Sequence, residues 1–249
     1  MAVKNYKMII RYDGTRYYGW EHQPDKDTVQ GRIEAVLSHL DPEGDTVEVT
    51  GAGRTDGGVH AEGMCANFRL DTRLDEEELL GYLNRYLPDD IAVINLREAS
   101  DRFHARYNAT GKTYRYTIYN GPLKPVFDRK YVWTIEERLD IEKMRAAAAE
   151  LMGRHDFAAF CKAAAKNKST VRNVDRIEIS SSKGYIYISF HGDGFLRNMV
   201  RIMTGTIVSA GKDEISAEEV RRLLEGRDRK ALPPTAPAQG LCLVKVDYD

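Results

Sequence analysis

Residues Gly51 to Gly63 read GAGRTDGGVHAEG, five glycines in thirteen residues around one arginine, one aspartate and one histidine. A carboxylate can attack an electrophilic carbon or take a proton, provided it is held where a substrate can reach it. Glycine serves where the backbone must turn sharply or approach a ligand closely. Asp56 stands near the middle of the stretch, with Arg54 two positions before it and His60 four after it. Asp56-Gly57 between apolar runs is also an ordinary turn signal. Three features go beyond a turn: the span exceeds the two to five residues of a usual hairpin loop, Arg and His flank the carboxylate, and Gly51, Gly53 and Gly63 have no role in a tight turn.

Other chemistries fail on spacing. No G-x-G-x-x-G is present, because Asp56 stands three places after Gly53. Gly111-Lys112-Thr113 resembles the end of a phosphate-binding loop, but that loop needs Gly where Arg106 stands. His60-Ala61-Glu62 matches the H-x-E of zinc deaminases, yet Cys65, Cys161 and Cys242 stand alone and supply no P-C-x-x-C partner. No metal is expected.

A buried Asp56 would need a cationic partner. The stretch Phe195 to Ser209 reads as a helix with an apolar stripe of Leu196, Met199, Val200, Met203 and Ile207. Arg197 and Arg201 would share a face of it, and either guanidinium could take a carboxylate. The alternative is a pair of solvated arginines. Tyr114 and Tyr116 alternate onto one face of a strand, where aromatics serve as core or as platforms for nucleic-acid bases. Arg102, His104 and Arg106 precede that strand. Basic residues interleaved with aromatics suit RNA better than a small metabolite.

The elements that must position these groups follow from periodicity. Strands are expected at Tyr6 to Tyr12, Thr46 to Thr50, Met64 to Leu70 and Ile91 to Leu96. Helices are expected from the Thr28 cap through Leu40 and over Asp75 to Tyr86, with Pro88 ending the second. The order β-α-β-β-α-β is the ferredoxin-like plan. The second half repeats it loosely: strands at Lys112 to Tyr119, Val174 to Ser180, Tyr185 to Phe190 and Leu241 to Val246, and helices at Asp140 to Met152, Phe195 to Ser209 and Ser216 to Leu224. Tyr131-Val132-Trp133 follows a Pro-containing excursion. The expectation is an α+β chain of two ferredoxin-like, RRM-like units with joined antiparallel sheets and a central cleft. Residues 1–106 form the N-terminal unit with the aspartate loop, and 107–249 the basic C-terminal unit. The segment Lys162 to Lys168 is expected to move, and Pro233 to Pro237 to act as a short rigid connector.

The chain has 249 residues, 42% of them apolar and 30% charged, with a formal net charge of −1. The charge is uneven: residues 1–106 carry 13 basic and 20 acidic side chains, and residues 107–249 carry 24 and 18. A basic half can face an anion while the whole stays near neutral. No apolar run has the length of a membrane span, and the amino end has no signal-peptide core. Three scattered cysteines suggest no disulfide framework and fit a reducing cytoplasm.

GAGRTDGGVHAEG, DRFHARYNATGKTYRYTIYN and FLRNMVRIMTG together closely resemble the TruA family of tRNA pseudouridine synthases. The resemblance runs from YDGTRYYGW (Tyr12 to Trp20) to the closing GLCLVKVDYD, and its R-T-D-x-G-V-H element is highly specific. One departure is Gly57, where alanine is more usual. The resemblance implies conversion of uridine to pseudouridine at positions 38, 39 and 40 of the tRNA anticodon stem-loop, by a homodimer without cofactor. By match, Asp56 would be the catalytic aspartate, Tyr114 would stack on the target base and Arg201 would pair with the aspartate. Arg54 would extrude or hold the nucleotide, and His60, Arg197, His104 and Arg106 complete the candidate substrate contacts. Two rivals use the same residues. A non-catalytic RNA-binding module would not need Asp56, and a nucleoside hydrolase would want a second carboxylate, for which Glu62 is the nearby candidate.

Overall fold

The structure is a computed structural model that describes residues 3–41, 46–162, 169–226 and 228–249. The expected mobile segment beyond Lys162 lies outside the described residues. The fold is mixed α and β, and it divides into two compact units. One comprises Met1–Thr110 with Leu243–Asp249, and the other Gly111–Cys242.

The first unit runs β1 (Lys4–Tyr12), α1 (Val29–Ser38), β2 (Val49–Gly51), β3 (His60–Leu70), α2 (Glu76–Tyr86) and β4 (Ile91–Ala99). Both helices start where the sequence places them, and both are capped. Thr28 Oγ1 accepts from Gly31 N–H, and Asp75 forms a reciprocal capping box with Glu78. β1 is central, antiparallel to β3 on one side and to β4 on the other. Alternation buries Tyr6, Met8, Ile10 and Tyr12, and Tyr6 stacks on Phe68 with ring centroids 5.4 Å apart.

The β1–β3 ladder slips between Ile10, opposite Met64, and Tyr12, opposite Ala61. Glu62 and Gly63 together stand opposite Arg11, a bulge of one extra residue. A Cβ on Gly63 would lie 2.4 Å from the Val244 carbonyl oxygen, so this glycine permits close strand approach. Gly63 therefore belongs to a strand rather than to the expected long loop. The aspartate loop is shorter, 52–59, and pairing resumes at His60.

β2 is also shorter than the expected Thr46 to Thr50. It pairs only along Ala66–Phe68, and the Val47 N–H goes to Ser38 Oγ at 3.1 Å instead of to a ladder. Glu34 is a buried carboxylate on α1. It accepts from His22 Nδ1–H (2.7 Å), Gln30 Nε2–H (2.7 Å) and Val49 N–H (3.1 Å), and so ties the helix to both β2 and the loop before it.

The second unit contains β5 (Ala109–Tyr119), β6 (Trp133–Thr134), α3 (Ile141–Glu150), β7 (Gly153–Asp156), β8 (Val171–Val174), β9 (Arg176–Ser182), β10 (Tyr185–Gly192), α4 (Met199–Gly211) and α5 (Ala217–Gly226). β10 lies antiparallel between β5 and β9, and β6 joins β5 in parallel. β7 and β8 pair separately. One face of the main sheet is buried: Ile177, Phe190 and Tyr114 lie in one row, and Ile179, Ile188 and Tyr116 in the next. α4 is buried on all sides, as its apolar composition requires. Its Thr204 and Thr206 hydroxyls donate back to the Val200 and Ile202 carbonyls.

The helix expected over Phe195 to Ser209 begins later, at Met199. Asn198 adopts φ +62°, a left-handed conformation that ends helical continuation backward and that asparagine tolerates. Arg197 therefore precedes the helix and shares no helical face with Arg201. The final strand, β11 (Leu241–Tyr248), lies beside β3 in the first unit through its residues from Leu243 on.

Candidate active site

In the first unit, Asp56 opens a β-turn. The Val59 N–H donates to the Asp56 carbonyl at 3.1 Å, and Gly58 sits at φ +79°. A positive φ at the third position alone is the mark of a type II turn, and it demands glycine at Gly58. Gly57 does not have positive φ, and a Cβ there would meet nothing closer than 3.4 Å. The departure from alanine at this position is therefore sterically neutral. Gly57→Ala is expected to leave turnover within about twofold and to raise stability by about 0.5 kcal/mol, because it removes freedom from the unfolded chain. Thermal melts and initial rates check this, and a large loss in either would show that the turn needs glycine twice.

The loop is gripped by the segment between β1 and α1. Trp20 N–H donates to Thr55 O at 3.1 Å, and Gly58 N–H donates to Tyr17 O at 3.3 Å. Tyr12 and Thr55 share a hydroxyl hydrogen bond of 2.8 Å. Two glycines allow this closeness. A Cβ on Gly14 would lie 2.0 Å from Val59 O, and one on Gly19, at φ +102°, 2.5 Å from Thr55 O. Gly51 likewise lies against the Trp20 indole, with 2.5 Å to a built Cβ. Sequence reasoning identifies 15–23 only as an aromatic loop. The spacing of Gly14 and Gly19 between Tyr12 and Trp20 is the signal that could have found the grip.

Asp56 is half-buried in this frame, and Arg54 is exposed and paired with Glu21. An exposed pair of this kind is worth at most about 1 kcal/mol, so it does not restrain Arg54 strongly. His60 is buried, and its Nδ1 accepts the Gly14 N–H at 3.0 Å. Asp13 Oδ1 lies 3.1 Å from the same nitrogen. That oxygen also accepts from the Thr15 N–H at 2.9 Å. Tyr17 turns inward, and burial, then its hydrogen bond to Asp90, pushes its phenol up to about 12.

His104 folds its own segment. Its Nδ1 accepts from the Arg106 and Tyr107 N–H groups at 3.2 and 3.3 Å, and the Arg106 side chain is exposed. Burial raises the Cys65 thiol and keeps it protonated. Among the described residues no three His, Cys, Asp or Glu side chains converge as a metal cluster.

In the second unit, Arg201 sits on the first turns of α4. Its Nε–H donates to the Ala236 carbonyl at 2.8 Å, and Ala236 N–H returns a bond of 3.1 Å to the Arg201 carbonyl. The Pro-rich connector is thus a brace. It passes so close to α4 that a Cβ on Gly205 would be 2.1 Å from Pro234 O. Tyr116 is fully buried and donates to Pro237 O at 2.7 Å. Burial raises its phenol against the lowering pull of Arg201, so it remains a donor. Tyr116 is core. Tyr114, two residues earlier, is 8% exposed and meets Phe195 edge to face at 5.3 Å. Arg197 is exposed, with its carbonyl accepting from Lys162 N–H.

Comparison with known proteins gives the family of the chain. The model of the tRNA pseudouridine synthase family matches residues 8–108 and 147–249. Relatives named tRNA pseudouridine synthase A 2 or A are similar over nearly their whole length. The Bacillus anthracis protein is 42% identical over 247 residues, 99% of this chain and all of the relative. The Pelobacter propionicus protein is 44% identical over 246 residues, again 99% of this chain and all of the relative. The chain is an isomerase of the RNA-modifying class. It belongs to the tRNA pseudouridine synthase family.

Proposed function

We propose that this protein isomerises uridine at positions 38, 39 and 40 of the tRNA anticodon stem-loop, with Asp56 as its catalytic carboxylate. The observation that supports this most is the grip on the Asp56 turn. Main-chain bonds from Tyr17 and Trp20 and close glycine contacts hold a half-buried carboxylate in a fixed frame. A mere connection has no need of such restraint.

The reaction breaks the N1–C1′ glycosidic bond, turns the uracil and joins C5 to C1′. The C5 proton leaves and N1 gains one, so product and substrate are isomers and no redox group or energy donor enters the balance. In this reading Asp56 attacks the sugar or takes a proton, and Tyr114 stacks on the target base. Arg201 pairs with Asp56. Arg54 holds the extruded nucleotide, and Arg197, His104 and Arg106 meet the RNA. His60 acts from behind, through Gly14. Unstacking the target base costs a few kcal/mol, part of which an aromatic platform recovers.

We further propose that each unit is a ferredoxin-like module, that the working enzyme is a cytoplasmic homodimer, and that it uses no cofactor. The element order β-α-β-β-α-β of residues 4–99 supports the first point for the first unit. Among the described residues no helix is long and apolar enough to cross a membrane.

Mass mapping of pseudouridines in tRNA from cells lacking the gene tests the reading. Loss at positions 38 to 40, restored by the purified protein, is expected. Loss confined to other positions would refute the anticodon assignment.

A further inference from the structure

Tyr17 and Tyr18 are adjacent but lead opposite lives. Tyr17 is buried and bonded to Asp90, whereas Tyr18 is 59% exposed. An exposed aromatic is common by itself. This one is fixed in place beside the Asp56 turn. A Cβ on Gly57 would be 3.6 Å from both the Tyr18 carbonyl carbon and its Cα, and Gly19 lies against the Asp56–Gly57 peptide. Tyr18 N–H donates to Asp27 O at 2.9 Å, and Gln23 Nε2–H donates to Tyr18 O at 3.3 Å. The Lys26 ammonium stands 4.6 Å from the ring centroid.

A solvent-facing ring on a restrained main chain, with a cation beside it and one residue beyond the grip on the aspartate turn, has the parts of a base-stacking platform with a phosphate contact. We propose that Tyr18 stacks on a nucleotide adjacent to the reacting uridine, while Lys26 meets its phosphate. Tyr18 is then a specificity-determining residue, which sets how the flanking RNA is presented to Asp56. The inference rests on the tRNA substrate proposed above.

The core of the protein gains nothing from the exposed ring, so its removal should leave folding intact. Tyr18→Ala should raise KM for tRNA about tenfold with kcat within about twofold, the effect of losing one stacked base. Tyr18→Phe, which keeps the ring, should behave as the parent. The deciding measurement uses tRNA made abasic on one side of the target uridine. On the correct side the Tyr18→Ala penalty should vanish, since no base is left to stack.

An unchanged KM for Tyr18→Ala on intact tRNA overturns the proposal. A Tyr18→Phe loss equal to that of Tyr18→Ala overturns it too, as does a penalty that survives abasic substitution on both sides. Failure of the unmutated protein to modify tRNA would instead overturn the proposed substrate.

Discussion

Asp56→Asn is expected to lower pseudouridine formation by on the order of 10³-fold or more while tRNA affinity stays within about twofold. The carboxamide keeps the size and polarity of the side chain but lacks the charge that attacks carbon or takes a proton. Affinity persists because phosphate contacts supply most of it. Release of tritium from tRNA labelled at uracil C5 reads the first quantity, since that hydrogen leaves as C5 bonds to the sugar. Filter binding reads the second. A variant that releases tritium at the parental rate would remove Asp56 from the chemistry. Parallel loss of binding would mean that the substitution disturbed the loop rather than the reaction. Bound tRNA without release by the unmutated protein would favour the RNA-binding module, and free uracil would favour the hydrolase.

Gly19→Ala is expected to cost about 2–5 kcal/mol and to remove most activity. Two effects add. The residue sits at φ +102°, where a Cβ is strained by about 1–2 kcal/mol. The methyl would also be 2.5 Å from the Thr55 carbonyl oxygen, and relieving such overpacking costs about 1–3 kcal/mol. A fall in melting temperature of roughly 4–20 °C follows. The clash falls on the peptide that precedes Asp56, so turnover should fall further than the folded fraction does. Circular dichroism melts and rates normalised to folded protein measure both. Normal stability with normal rate would show that the grip is dispensable. Gly57→Ala is the internal control, a methyl added to the same turn where φ and space permit it.

The sequence carries the local rules well. Thr28 and Asp75 mark helix starts because their side chains must accept orphan N–H groups, and both do. Met8 and Ile10 mark a buried strand face by alternation. Features set by tertiary contact are less visible. The apolar period through Leu196 runs on into α4 without a break, yet Asn198 turns left-handed, a backbone choice that periodicity does not register. β7 (Gly153–Asp156) has no apolar alternation and exists because β8 pairs with it. Gly63 has the look of a loop residue, and only the β1–β3 register and the approach of Val244 reveal it as part of a bulged strand.

In the candidate site, the Asp56 turn is legible because its positive φ needs glycine at Gly58. The grip from 13–20 is not, since its bonds join residues 35 and more apart in the chain. Likewise the Pro-rich connector reads as a spacer, while its carbonyl groups hold Arg201 and Tyr116.

The hold on the aspartate turn is written largely in main-chain atoms: Trp20 to Thr55, and Gly58 to Tyr17. Most side-chain exchanges in either segment leave those atoms where they are. Drift among descendants should therefore be broad at surface positions such as Thr15 and Arg16 and nearly nil in segment length, because one inserted residue shifts every donor past its acceptor.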